Sequence, residues 1–138
     1  MFPDVGIDAL LDYTAWQREH WAAWFLANPR SLHTDTGACG DGRFPTVGDV
    51  VKHVFTVERR YVQRVAGQPL GDFAAVPSDD VTALFAAGEA SREELRTLLA
   101  TYGGPWTAIR RFAIPGYADI EASPQKVVLH EEVPPGSR

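Results

Sequence analysis

Apolar residues recur at spacings of three and four through three long stretches of the chain, the period of a helix that buries one stripe. The most sharply bounded is Thr46 to Gly67, TVGDVVKHVFTVERRYVQRVAG. Thr46 stands where its hydroxyl can accept from the backbone amide three residues on, and Asp49 places a carboxylate in the positive first turn. Val47, Val50, Val51, Val54, Val57, Tyr61, Val62 and Val65 form the expected buried stripe, and Gly67 is the expected C-terminal cap. His53 falls on the margin of that stripe with Arg60 and Arg64, and Arg59 on the far side.

An earlier helix is expected from Gly6 to Asn28, stopped by Pro29. Leu10, Tyr13 or Thr14, Gln17, His20 or Trp21 and Trp24 make its stripe, widened by Leu11, Trp16 and Phe25. Two of the three tryptophans are expected in the core, with Trp16 facing a pocket. A third helix follows Ser78 as its cap, with Asp79 and Asp80 in the first turn, and ends at Gly103, Gly104 and Pro105. Gly88 lies on its apolar stripe, which predicts a bend or the close approach of a neighbouring element. Segments 29–45 and 68–77 read as loops, and Trp106 to Ala122 as two short extended pieces or an irregular crossover, of which the crossover is preferred. Ser123 followed by Pro124 opens a fourth helix, kept short by Pro134 and Pro135.

The chain has 138 residues, enough for one domain with a core. Its hydrophobic fraction of 45% and charged fraction of 22% are those of a soluble protein, and no apolar run approaches the roughly 20 residues of a membrane span. The N-terminus MFPDVGIDALLDY lacks the basic segment of a signal peptide, so a cytoplasmic location is expected. Cys39, the single cysteine, excludes an internal disulfide and is expected as a surface thiol in the loop TGACGDG. A net charge of −5, with Arg59/Arg60 and Arg110/Arg111 as the densest basic pairs, argues against a nucleic-acid surface.

The histidines are the candidate chemistry. His53 has two readings: a core-edge residue bonded to a carbonyl or a tyrosine hydroxyl, or a metal ligand inside a helical bundle. His20, near Tyr13 and Trp24, ranks below it, and His33 is expected in solvent. Three long helices, a crossover and a helix beginning SPQKVVLHE resemble the DinB/YfiT-like family of metalloenzymes over most of the chain. The matching elements are His53 in DVVKHVFTVE and His130, followed by Glu131, in the fourth helix.

The resemblance implies an all-α, up-down four-helix bundle whose fourth helix is short. It implies a divalent metal, Zn, Ni or Fe, held by His53 and His130, and a thiol-dependent transfer reaction with Trp16 and Tyr13 as substrate-binding walls. The family's third ligand position is Pro134 here, which leaves the set incomplete. The switch from HEEV to PPGSR is what a shifted reading frame would produce. The alternative function is a non-catalytic bundle that forms a homodimer or binds a small molecule, because a short fourth helix leaves apolar surface uncovered on the other three.

Overall fold

The computed structural model describes residues 6–37, 43–114 and 118–132, with the side chains of the last three left aside. Cys39, the Pro115-Gly116 turn, Tyr117, Pro134, Pro135 and the side chain of His130 therefore lie outside the described residues. The fold is mostly helical: α1 (Ile7–Ala27), a short 3-10 helix (Pro29–His33), α2 (Val47–Ala66), α3 (Val81–Thr101), strands β1 (Arg110–Phe112) and β2 (Ile120–Ala122), and α4 (Pro124–Glu132). Among the described residues no helix is long and apolar enough to cross a membrane. The chain divides into two compact units, 1–56 with 73–89, and 57–72 with 90–138, so the boundary falls inside both α2 and α3.

Helix ends follow local hydrogen bonding. The Thr46 hydroxyl accepts from the Asp49 amide at 3.2 Å, and the Asp49 carboxylate accepts from the Thr46 amide at 3.2 Å and its hydroxyl at 2.8 Å. This reciprocal box satisfies donors that the first turn leaves open. At the other end Gly67 has φ +71, and the amides of Gly67 and Gln68 donate to the carbonyls of Arg64 and Gln63. The Ser123 hydroxyl accepts from the Lys126 amide at 3.2 Å, with Pro124 at the first position of α4. Ser78 does not cap α3: the helix begins at Val81, and the Asp80 carboxylate accepts from the Ala83 amide at 3.0 Å.

In the first unit Leu32, Phe55, Val81 and Leu84 form a buried cluster, with Phe25, Val51, Val76 and Phe85 packed on it. The buried line of α2 thus runs through Gly48, Val51 and Phe55, while Val50 and Val54 are exposed. This differs from the expected valine stripe, because one phenylalanine packed on Phe85 outweighs several valines in buried area. Gly88 is where α3 meets that ring: a Cβ there would lie 3.0 Å from Phe55 Cε2 and Cζ. The Arg18 guanidinium also lies over this ring, 4.8 Å from its centroid, and donates to the Gly88 carbonyl at 3.3 Å. Close approach, rather than a bend, explains the glycine.

Helix α1 buries Leu11 and Thr14, and the Thr14 hydroxyl donates to the Leu11 carbonyl at 3.1 Å. Tyr13, Trp16, Trp21 and Trp24 are exposed at 53%, 54%, 46% and 54%, so none of the tryptophans of α1 is core. Its apolar residues occupy the whole circumference, and the stripe read from sequence is the outer one.

In the second unit Val62, Val65, Leu95, Leu98, Phe112, Ala122, Val127 and Val128 are buried. Segment 106–122 is not an irregular crossover: β1 and β2 pair antiparallel, Arg110 with Ala122, Arg111 with Glu121 and Phe112 with Ile120. Arg110 of β1 ties the hairpin to its surroundings, donating to the Val65 carbonyl at 3.1 Å and the Tyr102 hydroxyl at 3.2 Å. Arg64 adds a bond to the Ala113 carbonyl at 3.2 Å. Long-range arginine contacts of this kind leave no trace in local periodicity.

Candidate functional site

His53 is exposed, on the side of α2 away from Phe55. Its side chain is not packed into the core. Its ring lies 4.2 Å from that of Phe44, tilted by 34°. Phe44 is brought there by a returning strand-like segment: Asp35 bridges Thr46, the Thr36 amide donates to the Pro45 carbonyl at 3.0 Å, and the Thr36 hydroxyl to the Phe44 carbonyl at 2.7 Å. The loop expected at 29–45 therefore contains ordered pairing that fixes one wall beside the histidine.

His130 lies on α4, in the second unit. Among the described residues, no three His, Cys, Asp or Glu side chains are grouped to hold a metal ion. An exposed imidazole on a helix fits a ligand role for His53. Tyr13 and Trp16 stack at 6.1 Å, and Trp16 lies 4.1 Å from the ring of His20. His20 Nδ1 donates to the Trp16 carbonyl at 2.9 Å, since a carbonyl can only accept. These three residues form one exposed ladder on α1.

A polar cleft of about 420 Å³ opens in the first unit, lined by the 3-10 helix, the start of α2 and segment 74–79. His33, Thr46, Asp49, Lys52, Ser78 and Asp79 supply its polar groups. The hydroxyl of Thr46 holds the Asp49 carboxyl below the usual carboxylate range, with Ser78 and the nearby Lys52 acting in the same direction against partial desolvation. The cleft offers both charge signs and two hydroxyls to a small polar molecule. Sequence reading saw Asp49 only as a first-turn carboxylate and Ser78 as a helix cap, because segment 74–79 is brought to the start of α2 by tertiary packing.

The second unit carries a buried polar cluster that the helical period of α2 already contained. Glu58, 1% exposed, occupies the stripe position one turn after Phe55. Its carboxylate accepts from the Ser91 hydroxyl at 2.6 Å and lies 3.8 Å from the guanidinium of Arg92, itself 2% exposed. Arg59, expected on the far side of α2, bonds Glu94 on α3 at 2.8 Å, which raises the guanidinium pKa further. Gln63 accepts from the Gly71 amide at 2.9 Å and pins the loop that follows α2. Its groups join the two helices within the unit.

Comparison with known proteins finds no family model that matches the chain and no matching curated protein.

Proposed function

We propose that the chain is an up-down four-helix bundle of the DinB/YfiT-like kind, and that it binds a divalent metal through His53 and His130. The observation that supports this reading is the setting of His53: mid-helix, exposed, and placed against Phe44 rather than packed into the core. Four helices with His53 on the second and His130 on the fourth keep the order that the resemblance implies. When bound, such an ion lowers the pKa of a coordinated thiol or water, the chemistry a thiol-dependent transfer requires.

The chain's own contribution is positioning. The capped start of α2 fixes the register of His53, and the Phe44 ring restricts the imidazole and shields one of its faces from water. Pro134 offers no side-chain donor, so two imidazoles hold the ion more weakly than a three-ligand set. Metal analysis of the purified chain, with His53→Ala and His130→Ala beside it, tests the proposal. His53 is exposed, so its removal is expected to leave helicity unchanged while stoichiometric metal is lost. A wild-type chain without stoichiometric divalent metal, or variants that retain it, would overturn the assignment.

A further inference from the structure

The cleft at the start of α2 lies wholly inside the first unit, and its three walls are pinned to one another. Gly48 is the point where they meet. It is buried, and a Cβ there would lie 3.1 Å from the carbonyl oxygen of Leu32 in the 3-10 helix and closer still to that of Ser78 in segment 74–79. Only a residue without a side chain lets three backbones approach this closely. Asp49 adds side-chain ties: its carboxylate accepts from the Thr46 amide and hydroxyl and from the Ser78 hydroxyl. A space of about 420 Å³, the share of roughly fourteen liquid waters, therefore opens between walls that a ligand need not reorganise.

The same bonds decide which groups are left to meet a ligand. Asp49 is spent on the walls. Lys52, half-buried and one turn further along α2, forms no ion pair with a described residue, and neither does the exposed Asp79 of segment 74–79. His33 of the 3-10 helix brings a ring N–H. Two walls thus present an ammonium and an imidazole, and the third an uncommitted carboxylate. With His33 neutral, Lys52 against Asp49 and Asp79 leaves the lining one negative charge in excess. That excess repels a phosphate ester or other dianion, and Lys52 opposes a simple organic cation.

We infer that this cleft binds a small zwitterion, a free α-amino acid with an uncharged polar side chain. Its carboxylate is taken by Lys52 and His33 and its ammonium by Asp79, so each unspent charge of the lining meets its opposite. The cleft is open to water, which weakens both contacts, and the expected Kd is on the order of 0.1–1 mM. His53 is not among the lining residues, so the site does not rest on the metal reading.

Amide NMR titration of the full chain with L-glutamine tests this. Signals of residues 46–52 and 74–79 should shift together and saturate. N-acetyl-L-glutamine, which lacks the ammonium, and γ-aminobutyramide, which lacks the carboxylate, should each bind at least about fivefold more weakly. Lys52→Ala and Asp79→Asn should each weaken glutamine about three- to fivefold. Lys52→Ala should leave the residual binding of γ-aminobutyramide unchanged, and Asp79→Asn that of N-acetyl-L-glutamine, because each ligand already lacks the group its variant would miss. Neither side chain is in the core, and unchanged circular dichroism separates a lost contact from a lost fold. His53→Ala should bind glutamine as the wild type does, so this inference and the metal assignment fail separately. No saturable shift with glutamine, shifts confined to other segments, the same shifts with inorganic phosphate, analogues that bind as tightly as glutamine, or variants that bind it undiminished would each overturn the inference.

Discussion

Replacing Gly48 by alanine puts a methyl group where the chain has already placed a backbone oxygen. The added Cβ would meet the Ser78 carbonyl well inside contact distance and the Leu32 carbonyl at 3.1 Å. Neither obstacle is a side-chain tip that can rotate away. Restoring ordinary contact requires segment 74–79 to retreat from the start of α2 by a shift on the order of 1 Å. Overpacking of this kind costs about 1–3 kcal/mol. The same shift stretches the bond between Ser78 and Asp49, a partly exposed group whose loss adds about 1 kcal/mol at most. Alanine returns up to about 1 kcal/mol of helix propensity, and less in a first turn. The net expectation is a loss of about 2 kcal/mol, read as a urea midpoint lower by about 1 M or a Tm lower by roughly 8 °C.

Gly88→Ala supplies the internal contrast. Its Cβ would lie 3.0 Å from the Phe55 ring, which can pivot, and the site is mid-helix, where the propensity gain is largest. Its midpoint should stay within about 1 kcal/mol of wild type. Far-ultraviolet circular dichroism is the appropriate probe, because the exposed tryptophans of α1 report poorly on the core. A Gly48→Ala chain that unfolds at the wild-type midpoint, or a Gly88→Ala chain that is the more damaged of the two, would refute the packing argument.

Two further outcomes follow from buried and capped charges. The Asp49 carboxyl is depressed in the folded chain, so its stabilising effect is complete above its ordinary value of 3.8 and fades as pH falls below it. Asp49→Asn should therefore lower the urea midpoint clearly at pH 7 and much less near pH 2.5, and an equal penalty at both would contradict the assignment. Glu58→Ala leaves the Arg92 guanidinium buried without its carboxylate and should lose about 3–5 kcal/mol by urea titration. A loss under about 1 kcal/mol would mean that water or another group already compensates Arg92.

The sequence by itself determined where most helices begin and end. Thr46 with Asp49, Gly67, and Ser123 with Pro124 are local devices: each satisfies or removes backbone groups within a few residues, so composition suffices to recognise them. Which face of a helix is covered is not local. On α2 the valines outnumbered Phe55, yet the ring that packs on Phe85 decided the buried line and turned His53 to solvent. On α1 apolar residues surround the axis, so no period could say that Leu11 and Thr14 face inward and the tryptophans outward. Ser78 looked like a cap until tertiary packing gave its hydroxyl to Asp49, and the β1–β2 hairpin is tied to α2 through Arg64 of α2 and Arg110 of β1. Backbone hydrogen bonds are satisfied close to where they arise, whereas burial is a property of what comes to lie alongside.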